Sequence, residues 1–451
     1  VFVDVSHQIR DNPGKLHCGA VCADLDRDGQ PEIFVCGYGG SNVVLKWDGS
    51  AMSDATPTEL ADIGRRAIGA AAGDFDGDGG EELYVLNTDV FTGRKRFDDR
   101  LYALRDGLWR NILPSGGLPF NQHSGRSVAA IDRKGCGRYG FLLACHGGPL
   151  KLVEPGAEGL PVECAKEAGL DACGAGRGLL VAPILGSAPD IFFTCDDGPN
   201  FFFQNRGDGT FVERAADLGI QSIGHNGRGA TAIDYDEDGV LDVVAGSWLS
   251  RNHLWRLGSE GIFEDVAVQS IAEPGKVRSV IAADFDNDGH PEIFFNCLGE
   301  GNRLFAFRRG AWQQIDCGEA LDPSGFGTGA VVGDFDGDGA LELLISRGET
   351  DAQPLGLYRP ARVGKNWIRV QPQTPAGAPA RNALVILEQS GRRQMRVIDG
   401  GSGYLCQMEP WAHFGLGDNA YPSSIEVRWP DGSIRRVGPV SPGSALRIPH
   451  P

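Results

Sequence analysis

The chain of 451 residues carries 60 acidic against 42 basic side chains, a formal charge of −18, with 41% apolar residues and 66 glycines. So acidic a chain lacks the basic footprint that nucleic acid requires, and it has no apolar run long enough to span a bilayer. Its length leaves room for more than one domain.

At the N-terminus, Val1-Phe-Val-Asp-Val5 is a short aromatic-led alternation of the kind that forms a strand. It precedes five copies of the motif Asp-x-Asp-x-Asp-Gly-x-x-Asp/Glu. Their carboxylates are Asp24, Asp26, Asp28 and Glu32; Asp74, Asp76, Asp78 and Glu82; Asp234, Asp236, Asp238 and Asp242; Asp284, Asp286, Asp288 and Glu292; and Asp334, Asp336, Asp338 and Glu342. Oxygen-only ligands on a tight glycine-hinged loop suit a hard cation, and calcium, with its flexible coordination, is the expected ion, about five per chain. An EF-hand would need a bidentate glutamate at position twelve between two helices. Here that position is Val35, Val85, Ala245, Phe295 or Ile345, and each loop runs instead into a β-branched and aromatic strand pattern such as Ile33-Phe-Val-Cys36. Twenty of the 60 acidic groups lie in these loops, so five divalent ions would bring the charge to about −8.

The loops recur about 50 residues apart, the spacing of propeller blades. The long interval between Asp74 and Asp234 holds two degenerate units: one keeps only Asp132 of its cluster, in Asp132-Arg-Lys-Gly-Cys-Gly137, and the other has none before Asp190-Ile-Phe-Phe193. Most units continue with an apolar run led by asparagine (Asn42, Asn200, Asn252, Asn302), a glycine turn and a further strand, aromatic-led at Phe211 and Phe263. Four short strands per unit without amphipathic helices give the expected fold class: all-β, a seven-bladed β-propeller over 1–362 with a second, smaller all-β domain over 363–451. The seventh unit has no fourth strand of its own after Leu355-Gly-Leu-Tyr358, so residues 1 to about 8 are expected to supply it and close the ring, removing an exposed edge. In the second domain strands are expected at Asn366–Val370, Ala383–Leu387, Met395–Ile398 and Ser424–Trp429, with turns at Ser390-Gly391 and Asp431-Gly432.

The eleven cysteines lie mostly in or beside expected strands and read as buried packing. Cys164 and Cys173, close together in a loop-like stretch, are the best candidates for a disulfide. Six residues before the first loop position stand Arg126, Arg177, Arg228 and Arg278 in four consecutive units, and nine before stand His123 and His225. On innermost strands these side chains are expected at the mouth of the central channel, on the face opposite the metal loops. They could form a basic pocket for a small carboxylate, sulfate or phosphate, or act as struts bonded to neighbouring strands. The pocket would admit an enzyme, a lyase, isomerase or hydrolase with His123 or His225 moving a proton. No nucleophile elbow, phosphate loop or zinc-protease motif accompanies it. The leading reading is a calcium-stiffened module that binds extracellular partners; that enzyme, and a lectin using Trp47, Trp109, Trp248 or Trp255, are the alternatives. Arg206-Gly207-Asp208 spells the integrin adhesion tripeptide, but it falls in a hairpin turn that the fold needs in any case.

The acidic loops resemble the FG-GAP or VCBS propeller repeats of integrin α chains. Gly37-Tyr-Gly-Gly-Ser-Asn42, Asp132-Arg-Lys-Gly135, Asn205-Arg-Gly-Asp-Gly-Thr-Phe211, Ile398-Asp-Gly-Gly-Ser-Gly-Tyr-Leu-Cys406, His413-Phe-Gly-Leu-Gly417 and Trp429-Pro-Asp-Gly432 carry a closer resemblance, over essentially the whole chain, to the cartilage acidic protein family. The C-terminal part is similar to that family's ASPIC/UnbV domain. The resemblance implies a secreted, calcium-binding extracellular protein, periplasmic or at the cell surface if bacterial, with protein or glycan partners. Vertebrate members continue into an EGF-like module, which is lacking here before the end at Pro451, and no signal peptide stands at Val1, as expected of a processed or engineered start.

Overall fold

A computed structural model describes residues 1–114, 121–364, 366–418 and 424–451. The apolar stretch after each acidic loop is the second strand of an antiparallel sheet. It is apolar throughout, rather than at alternate residues, because both faces of that sheet are covered. Glu32–Gly37, Glu82–Asn87, Asp242–Ser247 and Glu292–Cys297 are buried at every position. Strands follow one another outward in sequence order, as in the first unit: His17–Ala23, Glu32–Gly37, Val43–Trp47, Met52–Asp54. The innermost strands of the later units are Ala67–Gly73, Ser124–Ile131, Cys173–Ala182, Gly227–Ile233, Val277–Ala283 and Gly327–Gly333. Each packs beside the next, and the seventh beside the first, so the protein is an all-β propeller followed by a smaller all-β region.

Apolar side chains of adjacent sheets interlock between the blades, as where Ile33, Val35 and Leu45 of the first unit meet Val331, Leu344 and Leu357 of the seventh. The outer strand of the seventh sheet is Phe2–Asp4, antiparallel to Gly356–Pro360 with Phe2 opposite Pro360. Phe2 is buried, edge-on to Phe285 and Phe294. Units three and four depart from the pattern: Gly140–Pro149 and Cys173–Ala182 overrun their neighbours, His146 pairs with Ala175, and the two sheets merge into one of eight strands.

In three units the asparagine before the third strand closes two gaps in backbone hydrogen bonding. Asn302 Oδ1 accepts from Cys297 N–H at 2.7 Å and its Nδ2 donates to Ala320 O at 2.9 Å; Asn42 and Asn252 make the equivalent pairs. Each ties a turn to the connector that enters the next unit. Asn302→Ala would leave a buried donor and acceptor unpaired and is expected to lower unfolding free energy by about 1–3 kcal/mol in urea denaturation. An unchanged midpoint would contradict this role.

The C-terminal region has two sheets. Trp367–Pro372 lies between Ala412–Gly415, antiparallel, and Ser444–Ile448, parallel. The other sheet runs Arg392–Val397, Leu384–Gln389, Ser424–Arg428, Ile434–Val437. Ile368 and Phe414 from the first meet Val385, Leu387 and Ile425 from the second in a separate core. Ser390 and Gly391 both have positive φ, 51° and 83°, as a two-residue hairpin turn needs.

All eleven cysteines are free thiols, so the expected Cys164–Cys173 bridge is not formed. Cys164 is buried with Sγ 3.3 Å from Glu154 Oε2, whereas Cys173 begins a strand at an exposed position. Among the described residues no helix is long and apolar enough to cross a membrane.

Candidate metal centres and the filled channel

Each acidic loop joins the first strand of a unit to the second, so all five lie at one end of the propeller. The sixth loop residue is glycine because the chain there turns through φ between 84° and 94°. Backbone N–H groups anchor one oxygen of several carboxylates: Gly29 N–H donates to Asp24 Oδ2 at 2.9 Å and Leu25 N–H to Glu32 Oε2 at 2.8 Å. The loops at Asp284 and Asp334 repeat these bonds. The second oxygen is left over, and Asp24 Oδ1, Asp284 Oδ1, Asp334 Oδ1 and Glu342 Oε1 are buried without a hydrogen-bond partner. Carboxylate oxygens come within 4.8 Å of one another in each loop: Asp24, Asp26 and Glu32; Asp74, Asp76 and Asp78; Asp234, Asp236 and Asp238; Asp284, Asp286 and Glu292; Asp334, Asp336 and Glu342. Converging buried acceptors without donors fit an oxygen-ligated cation. Burial, with neighbouring carboxylates adding to it, pushes Glu32 and Asp284 up to about 7 and Glu82 and Asp242 up to about 8.

The loop at Asp234 closes differently. Its ninth residue is aspartate, one methylene shorter, and Asp242 Oδ1 accepts from Leu257 N–H at 2.9 Å on the third strand. Both oxygens of Asp234 are left unpartnered.

A base on the third strand accompanies every acidic loop, outside the motif itself. Lys46 Nζ lies 2.6 Å from Asp28 and 3.0 Å from Glu32, and also meets Asp26. Arg105 reaches Asp76, Asp78 and Glu82; Arg308 meets Asp286 at 3.1 Å and Arg359 meets Asp338 at 2.7 Å. Arg256 stands one residue beyond the Val243–Trp255 pair, across from Asp242.

The two units without the motif show what replaces it. In the third, Glu154 takes the third-strand position and the loop supplies the base: Arg133 Nε and Nη2 pair with its two oxygens at 2.5 and 2.8 Å. Asp132 has both oxygens taken by the N–H groups of Cys136 and Gly137. In the fourth, Asp190 is held the same way by Leu185 and Asn205 N–H. Neither loop keeps a free acceptor.

The two C-terminal sheets are seated on the loop end. Arg381, fully buried, pairs with Glu81 and donates to Asp399 O at 2.8 Å and Cys22 O at 3.0 Å. Arg369 Nη1 meets Asp334 Oδ2 at 2.9 Å, Arg392 Nε meets Glu237 at 2.6 Å, Arg447 donates to Gly29 O at 2.6 Å, and Gly415 N–H donates to Asp284 Oδ2 at 2.9 Å. From this seat residues 399–409 enter the channel and satisfy the inner edges of the blades. Cys22 N–H donates to Gln407 O at 3.0 Å, Ala72 N–H to Gln407 Oε1 at 2.7 Å, Ala130 N–H to Gly400 O at 2.6 Å and Gly403 N–H to Ala230 O at 2.8 Å. A Cβ at Gly229 would lie 1.7 Å from Gly403 O and one at Gly19 2.0 Å from Leu405 O. The small residues of the innermost strands are thus the space the plug occupies.

Residues 373–451 match the ASPIC and UnbV family, and residues 24–85, 187–245 and 234–295 match the FG-GAP-like repeat. Cartilage acidic protein 1 of Xenopus tropicalis is 42% identical over 98% of this chain and 74% of that protein, and its Homo sapiens counterpart is 42% identical over 98% and 73%. The chain belongs to the cartilage acidic protein family. Among solved structures, BBS1N in complex with ARL6DN has a TM-score of 0.51 at 10% identity, over 80% of this chain and 97% of that one, a likeness of fold alone.

In this family member the end opposite the loops carries the arginines. Bulges between Gly125 and Ser127, Gly176 and Gly178, Gly227 and Ala230, and Val277 and Ser279 interrupt the inner strands at Arg126, Arg177, Arg228 and Arg278. Arg177 and Arg228 share Asp196 at 2.6 and 3.1 Å, Arg278 pairs with Glu349, and Arg126 donates to the carbonyls of Val90 and Phe91. The histidines lie elsewhere. His225 is buried against Ser247 and His253, and burial, with His253 adding to it, takes its pKa down to about 3; His123 bridges through its backbone to Arg94. Of the tryptophans, Trp109 and Trp255 are 6% and 3% exposed, Trp47 packs against a core, and Trp248 lies 4.3 Å beneath the Arg278 guanidinium. That leaves no open indole face for a sugar at Trp109 or Trp255.

Proposed function

We propose that the protein is a secreted, calcium-stiffened binding module in which the propeller, 1–362, and the ASPIC/UnbV region, 363–451, act as one body, holding extracellular protein or glycan partners on the end opposite the acidic loops. One observation carries this reading: the chain's own residues 399–409 fill the channel from the loop end, while Ile63, Phe91, Ile223 and Leu249, 80%, 61%, 79% and 60% exposed, stand on loops of the other end. Apolar side chains gathered around a basic centre suit a partner's surface. The filled channel favours binding over turnover, and His225 is too deeply buried to meet a substrate.

Calcium would be held by the four carboxylates of each loop, and its charge would neutralise oxygens that otherwise repel across the first and second strands. Family membership supports an extracellular setting, where calcium is plentiful. In four loops the third-strand base contacts oxygens that would also hold the ion. Lys46→Met is therefore expected to tighten calcium binding at the first loop by at least about fivefold, since a unit charge at this range is worth roughly 1–4 kcal/mol. Calorimetric titration against the parent protein checks this, and weaker binding in Lys46→Met would contradict it.

Fluorescently labelled protein should bind an extracellular-matrix preparation in the presence of calcium. Ile63→Asp combined with Ile223→Asp should abolish that binding without moving the melting temperature. Binding that survives this pair would rule out the proposed face.

A further inference from the structure

We propose that the arginine-lined mouth of the channel, floored by the tip of the plug, binds a small oxyanion, a carboxylate or sulfate group presented by a ligand. The site is incomplete in either part of the chain alone. Arg126, Arg177, Arg228 and Arg278 come from the propeller, and Tyr404 comes from the plug, with its ring 5.9 Å from the Arg278 guanidinium carbon.

The charges do not balance. Against four guanidinium groups stand two carboxylates, Asp196 and Glu349, and among the described residues no carboxylate pairs with Arg126. Struts that merely fix blade spacing would have their donors satisfied by the chain. Arg126 Nε and Arg228 Nε are instead buried with no partner, although Arg228 is only 5% exposed. Burial, with the neighbouring Arg177 adding to it, lowers the pKa of both Arg126 and Arg228, the direction expected where like charges crowd a dry site. An anion would relieve that crowding and take up the idle donors.

The guanidinium groups are also held in place by aromatic rings. Arg126 and Arg177 lie over Phe91 at 4.8 and 4.7 Å, and Arg228 and Arg278 lie over Trp248 at 5.8 and 4.3 Å. Held against aromatic rings, the guanidinium groups keep N–H donors for planar or tetrahedral oxyanions. Carboxylate and sulfate share this chemistry, so the structure names the group rather than its carrier.

The test uses the full chain with calcium, titrated at constant ionic strength with sodium sulfate and, separately, with glucuronate, against chloride as reference; calorimetry is the readout. Saturable binding of sulfate alone would indicate a sulfate group, and of glucuronate alone a carboxylate. Arg126→Gln and Arg228→Gln should each weaken binding at least about tenfold, the worth of one charge-assisted hydrogen bond, and Tyr404→Phe should weaken it less. Should the glutamine variants fail to fold, Arg126→Lys and the parent's own titration still decide the matter. No saturation by either probe up to ~10 mM, a ceiling well above millimolar affinity, or an unchanged affinity in the arginine variants, would overturn the proposal. Anion binding that persists while matrix binding is absent would instead count against the partner-binding reading.

Discussion

Arg381→Ala should be among the most damaging single substitutions in the chain. Its guanidinium is 0% exposed, pairs with Glu81 through Nε at 2.5 Å and Nη2 at 3.2 Å, and donates to the carbonyls of Cys22, Asp399 and Met408. Glu81 is itself 4% exposed, so alanine strands a buried carboxylate beside the buried Cys22 carbonyl and two half-buried ones. Breaking a buried pair from one side costs about 3–5 kcal/mol, whereas replacing both partners is far milder. Urea denaturation should therefore show a large loss for Arg381→Ala and partial recovery in Arg381→Met with Glu81→Gln. Because Arg381 also holds the base of the plug at Asp399, limited proteolysis should cut within residues 399–409 in the single variant and spare them in the parent. A protected plug in a destabilised Arg381→Ala protein would separate stability from docking and refute this account of the seat.

The fold class was readable because its signals are local. Five acidic loops in register, continuous apolar second strands and asparagines at fixed places each report on a unit that repeats its own hydrogen bonds. The family resemblance could be read too, since long motifs such as Ile398–Cys406 carry it. What could not be read depends on parts of the chain meeting across hundreds of residues. The runs Gly69-Ala-Ala-Ala72 and Gly229-Ala230 look like weak strands, and their smallness makes sense only beside Leu405 and Gly403. The exchange of charges at Arg133 and Glu154 was hidden because it pairs a loop residue with one on the third strand, outside the repeated motif. Arg126, Arg177, Arg228 and Arg278 stood out by register alone, but Asp196, Glu349, Phe91 and Tyr404 follow no repeat that would pair them with the arginines. The His225 imidazole shares the arginines' periodicity and yet sits against Ser247. Register places a residue at one end of a strand without saying which neighbour it meets.

Chelation should lower the melting temperature steeply, and by an amount that grows with pH. A loop filled at about a hundred times its dissociation constant contributes about 2.7 kcal/mol, so several loops acting together exceed the net stability of many domains. Without the ion, burial keeps the folded-state pKa of Glu82 and Asp242 near 8 and of Glu32 and Asp234 near 7, well above those of exposed carboxylates in the unfolded chain. The native state then binds more protons than the unfolded state across this window. Stability of the metal-free protein therefore falls as pH rises through the folded values, and the penalty fades below them. A bound divalent cation reverses the sign, since it favours the ionised oxygens and is lost as they protonate. Ion-paired acids do not blur the effect: burial raises Glu237, but its bonds to His290 and Arg392 outweigh that and hold it at about 2, below the window. Calorimetric scans at pH 5 and pH 8, with calcium and with chelator, should thus show the chelated protein melting higher at pH 5 than at pH 8 and the loaded protein doing the opposite. Native mass spectrometry of the loaded form should count about five calcium ions. Parallel pH profiles for the two forms would mean that these carboxylates do not meet around a cation, and the five loops would then be only acidic turns.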